Sequence, residues 1–167
     1  FGVNKQASNG KTYVGLVIRE NGTWEGLGQE LEKPLIAHQT YKLKLDLCHS
    51  LEYLSCTRTD TISKFFDQTV RVLLWGGNSF CDRRELLDYS DLISNTDWQA
   101  FEFIFRPGSN YSHIIIEVYH PEMRMKFPFY GNVLIDNASA IFPIDSGEFI
   151  RVEPPFQYIR DEAVKFK

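Results

Sequence analysis

Tyr41-Lys42-Leu43-Lys44-Leu45-Asp46-Leu47 puts an apolar side chain at every odd position and a charged one at every even position. Side chains alternate across a strand, so this period of two turns one face to a core and the other to water. The reading extends outward in both directions. Thr12 to Arg19, Val70 to Trp75, Phe101 to Phe105 and Ile114 to Tyr119 are short runs bounded by Gly, Pro, Asn or Asp, and each reads as a strand. Gly26 to Leu31 gives a shorter strand before a turn at Pro34, and Gly131 to Phe142 a long last one. Only Asp82 to Ile93, with Leu86, Leu87 and Leu92, reads as a helix of a turn or two inside a long connection. Strands joined by turns, without alternating helices, predict an all-β chain built as an antiparallel two-sheet sandwich.

The 167 residues suffice for one sizeable domain. With 18 basic against 22 acidic side chains and a net charge of −4, the chain lacks the basic surplus that phosphate neutralisation requires, which excludes nucleic acid as a partner. Its apolar runs fall far short of the roughly 20 residues of a transmembrane helix. It begins at Phe1 without an initiator Met, as expected of a chain that has lost a leader or was cut from a longer one. Cys48, Cys56 and Cys81 allow at most one disulfide, with Cys48 and Cys56 the nearest pair, and lack a C-x-x-C spacing. The division expected is a sandwich over residues 1–142 and an extension over 143–167. In that extension Pro143, Pro154 and Pro155 favour extended backbone, while Phe149, Phe156, Tyr158, Ile159 and Phe166 pack on the module or lead to a further domain.

The G-x-S-x-G, H-E-x-x-H, Walker and dinucleotide-binding signatures are absent from the sequence. Gly26-Leu27-Gly28 precedes Gln29-Glu30 and Pro34 and opens no helix for a phosphate, and His38, His49, His113 and His120 lack metal-ligand spacing. Glu25, Glu30, Asp46 and Glu117 are formal candidates for hydrolytic acid pairs, but Asp46 and Glu117 read as solvated charges on strand faces. The expectation is therefore a chain that is not an enzyme and binds through rings and planar polar groups. Trp75-Gly76-Gly77-Asn78 at a strand end supplies a large ring, close backbone approach and an amide, with Tyr53, Arg58 and Tyr130 on the same rim. Trp75 and Tyr130 read equally well as plugs at the end of the core. Trp98 reads as core and Trp24 as exposed. Asp136, inside the apolar run Leu134-Ile135-Asp136-Asn137, needs a partner. Either hydrogen bonds supply it, or a structural Ca²⁺ shared with carbonyls around Asn9 and Gly10.

The order Gly10-Lys11-Thr12-Tyr13-Val14-Gly15-Leu16, Glu25 with Leu27-Gly28-Gln29, and Pro34-Leu35 before Tyr41-Lys42-Leu43 resembles the galactose-binding-domain-like jelly rolls found in carbohydrate-binding modules. The version in cell-envelope and surface proteins of Bacteroidetes is especially similar. Leu73-Leu74-Trp75-Gly76-Gly77, Asp97-Trp98 with Phe103 and Phe105-Arg106-Pro107, and Tyr130-Gly131-Asn132 continue the resemblance to Phe142. It implies a non-catalytic module of an exported protein, at the periplasm, outer membrane or cell surface, that binds glycan. The alternative it implies is a protein–protein interaction domain in an envelope or secretion assembly. It also implies a role for Asp136 at a calcium site, and Asp60-Thr61-Ile62 resembles an O-glycosylation acceptor of that bacterial group. Two departures from the resemblance are expected: the strand that usually precedes Gly2 and Val3 is absent or truncated, and no row of aromatics marks a sugar platform.

Overall fold

The computed structural model of the chain describes residues 2–19, 23–56, 62–120 and 129–145. Its strands are β1 (Val14–Ile18), β2 (Gly26–Leu35), β3 (Tyr41–Cys48), β4 (Leu54–Ser55), β5 (Lys64–Phe65), β6 (Arg71–Gly77), β7 (Glu85–Tyr89), β8 (Gln99–Phe105), β9 (Tyr111–Tyr119), β10 (Gly131–Asp136) and β11 (Phe142–Pro143). One sheet runs β1-β10-β3, with β8 along the far side of β3 and β11 extending the β10 side. The other runs β2-β9-β6-β7, and β4 and β5 form a separate ribbon. Without the ribbon and β11, the principal strands alternate between sheets in the order first-eighth-third-sixth and second-seventh-fourth-fifth, all antiparallel. That is the strand order of a double-sheet jelly roll.

The alternation in β3 sets the interior. Tyr41, Leu43, Leu45 and Leu47 enter the core between the sheets, where they meet Leu16 and Ile18 of β1, Val72 and Leu74 of β6, Phe103 and Phe105 of β8, and Ile114, Ile116 and Val118 of β9. Burying each such side chain contributes about 1.5–3 kcal/mol.

The structure departs from the sequence reading in three places. Residues 82–93 form no helix; their centre is β7, because Leu87 packs on the inner core while Leu86 and Tyr89 cover the outer face. Burial on both faces removes the alternation that marks a strand. Pro34 lies within β2 instead of ending it, at an irregularity between Glu30 and Leu35. An edge strand tolerates the missing N–H there. The last strand breaks at Asn137, whose φ of 49° is left-handed, and resumes as β11. Beyond the expected boundary at 142, Pro143 pairs with Tyr41 and the Ile144 amide donates to the Thr40 carbonyl (2.9 Å). The sandwich thus holds the chain at least that far, and the rest of the expected extension lies outside the described residues.

The two outer faces differ. On the five-stranded sheet, Val17, Cys48 and Leu134 are roofed by Tyr53 and Phe66, with Tyr130 and Trp98 partly buried beside them. The N-terminal segment closes this side: Gly2 bridges to Leu54, and the Trp98 indole donates to the Gln6 carbonyl (2.8 Å). All three cysteines are free thiols, and burial pushes Cys48 up to about 11.

Candidate functional site

The outer face of the four-stranded sheet is built differently. On β9, Ile115 and Glu117 point away from the core, and in register beside them on β6 lie Trp75 and Leu73. On the opposite side, β2 sets Gly28 against Ile115 and Gly26 against Glu117. With no side chains on those two β2 positions, a hollow opens above β9.

The connection between β6 and β7 folds over this hollow. A Cβ on Gly77 would lie 1.7 Å from the Asp82 carbonyl oxygen, so the tight return is open only to glycine. The Asn78 amide donates to the Asp82 carboxylate (3.0 Å), Arg84 N–H donates to the Gly76 carbonyl (2.9 Å), and Cys81 takes a left-handed φ of 65°. Phe80 lies over Gly28, whose Cβ position is 3.0 Å from its ring, and packs edge-on against His113 with centroids 5.0 Å apart. Arg83 reaches back so that its guanidinium sits 5.4 Å from the centroid of the Trp24 ring and donates to Glu117 Oε1 (2.8 Å). The recess holds about 250 Å³, opens to solvent, and is bounded by Trp24, Leu27, Phe80, Arg83, Ile115 and Glu117.

Its electrostatics centre on one pair. Glu117 is only 3% exposed, and this burial pushes its carboxyl above the usual carboxylate range, while Arg83 and the Trp75 indole oppose the shift. Arg83 keeps 34% of its side chain in water. Among the described residues Glu117 is the one carboxylate lining the cavity, and it is engaged by Arg83. The chemistry on offer is a large ring beneath a guanidinium, apolar walls, and a planar cation held in place by a buried anion.

The structure divides the residues expected at the rim. Trp75 belongs to the outer face of the four-stranded sheet, but as a buried floor at 4% exposure. Asn78 is exposed in the connection above it, with its amide oxygen accepting from Ser112 N–H (3.2 Å). Tyr53 and Tyr130 sit on the opposite outer face, so no rim common to Trp75, Asn78, Tyr53 and Tyr130 forms. Tyr53 is buried because Gly15 leaves room for its ring: a Cβ there would be 2.7 Å from the hydroxyl. Tyr130 packs edge-on against Phe66 and accepts at its hydroxyl from Lys64 Nζ (2.7 Å). Arg58 and Asp60-Thr61 lie outside the described residues. Trp24, expected to be exposed, is half-buried beneath Arg83.

Two carboxylates read as solvated are in fact buried, Glu117 and Asp46. Asp46 lies under the N-terminal segment. There Ser8 Oγ (2.5 Å) and Asn137 Nδ2 (3.0 Å) donate to it and hold its carboxyl below the usual range. Its cross-strand neighbour Asp136 accepts from the backbone amides of Asn9 (2.9 Å) and Asn137 (2.7 Å). The pair is a hard-oxygen set of the kind calcium takes. N–H and O–H donors already meet these carboxylates, however, so Asp136 is satisfied by hydrogen bonds. In the sequence Glu117 stands only as a formal acid candidate with a solvated charge, and the reading does not reach Arg83 or Phe80. The available signal was Glu117 interrupting Ile114-Ile115-Ile116-Glu117-Val118, the same anomaly that drew attention to Asp136.

No family model matches the chain, and no curated protein matches it. Among solved structures it is similar to a carbohydrate-binding module, CBM4, at 12% identity and a TM-score of 0.42, over 71% of this chain and 61% of that one. It is also similar to the CBM22-1 and GH10 modules of endo-1,4-β-D-xylanase 10B from Clostridium thermocellum, solved with xylohexaose. There the identity is 10% and the TM-score 0.40, over 84% of this chain and 26% of that one. The chain therefore spans less than two thirds of either structure's length. The jelly roll itself stands on the strand order.

Proposed function

We propose that the chain is a non-catalytic carbohydrate-binding module of an exported cell-envelope protein, and that the sugar enters the cavity between β2, β9 and the β6–β7 connection. The observation carrying this reading is the pairing of Trp24 with the Arg83–Glu117 fork beside apolar walls in one recess. Sugar rings present a C–H face that stacks on an indole and hydroxyls that accept from a guanidinium, so binding requires no reactive group. The envelope setting rests on the sequence resemblance.

The test is Trp24→Ala, assayed against a glycan array and by calorimetry on whichever glycan the parent chain binds. Removing a central aromatic anchor is expected to cost about 2 kcal/mol or more, roughly a 30-fold loss of affinity. Undiminished binding by a folded Trp24→Ala chain would place the site elsewhere. A protein partner in an envelope or secretion assembly is the second reading, favoured by Phe80, which leaves 62% of its surface in water at the mouth of the cavity.

A further inference from the structure

Carbohydrate binders that lie along a polysaccharide need a trough open in two directions, and among the described residues the outer face of the four-stranded sheet lacks one. Its central side chains are already covered: Leu73 is 0% exposed, Trp75 4% and Ile115 6%. Along β9 the hollow is walled at the His113 end by Phe80, seated on Gly28, and at the Glu117 end by Arg83, which spans from Trp24 to the carboxylate. On the β6 side the connection carrying both walls closes it. At about 250 Å³ the recess falls just below the roughly 300–1,000 Å³ of ordinary small-molecule pockets. The charges inside also cancel, since Arg83 is matched by Glu117. An added anion would face a buried carboxylate that has no spare cation among the cavity's lining residues.

We infer that this pocket captures the end of an uncharged glycan, one or two terminal rings, and does not grip the middle of a chain. This inference rests on the carbohydrate reading and adds the form of ligand to it. A terminal ring enters from the solvent side and lies against Trp24 and the Arg83 guanidinium that covers its ring, with its hydroxyls directed at that guanidinium, while the remaining chain stays in solvent. Phe80 determines the selectivity, because its ring occupies the path that a continuing chain would follow.

The experiment is a calorimetric length series with glucose-, xylose-, mannose- and galactose-based oligosaccharides of one to six rings, using the full chain. The expected result is an affinity that reaches its ceiling by the disaccharide and changes less than about threefold thereafter. A uronic acid at the terminus is expected to weaken binding by about tenfold or more. Phe80→Gly, checked for unchanged unfolding, is expected to let affinity climb with length. An affinity in the parent chain that rises tenfold or more from the disaccharide to the hexasaccharide overturns end capture and leaves the carbohydrate reading standing. So does equal or tighter binding of the uronate-capped sugar. Absence of binding to every sugar at every length overturns the carbohydrate reading, and this inference with it.

Discussion

Replacing Arg83 by Met tests whether the cavity is organised by its ion pair. Glu117 is 3% exposed, and the guanidinium 2.8 Å away is its one ion-pair partner in the cavity lining. Stranding a fully buried charge costs about 3–5 kcal/mol. Because 34% of the Arg83 side chain is in water, solvent can re-enter where it stood, and the expected loss at pH 7 is about 1–3 kcal/mol. The pH dependence separates this from simple loss of packing. Burial already raises the Glu117 carboxyl, and removing the arginine that opposes the shift raises it further. A group raised on folding gives its full stability below its unfolded pKa and loses it as pH climbs through the folded one. The penalty of Arg83→Met should therefore be largest at pH 7 and shrink toward pH 4, where Glu117 is protonated. Adding Glu117→Gln should recover most of the loss at pH 7. Urea unfolding followed by tryptophan fluorescence at both pH values measures this. A penalty that is the same at both, or below about 0.5 kcal/mol at pH 7, would refute the account.

Gly77→Ala should destabilise by about 1–3 kcal/mol and weaken ligand binding as well, because its Cβ would lie 1.7 Å from a backbone oxygen and displace the connection carrying Phe80 and Arg83; thermal melts and calorimetry report both. Asp88 accepts from the Tyr89 and Ile104 amides at the junction of β7 and β8, and burial raises it from 3.8 to about 6. Relative to Asp88→Asn, the parent chain should lose about 1–3 kcal/mol as pH rises from 4 to 7, and a flat difference in denaturation midpoints across that range would contradict it. For the Asp46–Asp136 clasp, whose carboxylates already accept four hydrogen bonds, exchange between millimolar Ca²⁺ and EDTA should shift Tm by less than about 2 °C. A larger rise with calcium would show that an ion displaces those donors.

How far the sequence could be read depended on how many faces of a segment are buried. In β3 one face is wet at Lys42 and Lys44, so the alternation shows and the core positions Tyr41, Leu43, Leu45 and Leu47 follow directly. β7 buries Leu86 on one side and Leu87 on the other, and the same period of two disappears into a run that reads as helical. The site was legible only in part, for a related reason. An aromatic at a strand end announces that something large is packed there without saying on which side of which sheet. Tyr53 and Trp75 therefore read as neighbours in the sequence, although a whole sandwich separates them. Alternation places Glu117 on an outer face, where it reads as a surface charge, and nothing local reveals that the β6–β7 connection covers that face. The pairing of Arg83 with Glu117 spans 34 residues and exists only once β6 and β9 are side by side.

The difference between the two outer faces explains why the recess lies where it does. The five-stranded sheet is roofed by Tyr53, Phe66 and the N-terminal segment, all of which point large side chains down onto Val17, Cys48 and Leu134. On the four-stranded sheet the covering element is short and must turn back sharply at Gly77, so it reaches over β2 only where Phe80 sits on Gly28, and Gly26 and Gly28 contribute no side chain to fill the rest. Substituting a large apolar residue at Gly28 would bring it against Phe80 and fill the recess much as Tyr53 fills the space over Gly15 on the other face. Such a chain would keep the jelly roll and lose the recess beside Arg83 and Glu117, which separates the part of this sequence that makes the fold from the part that makes a site.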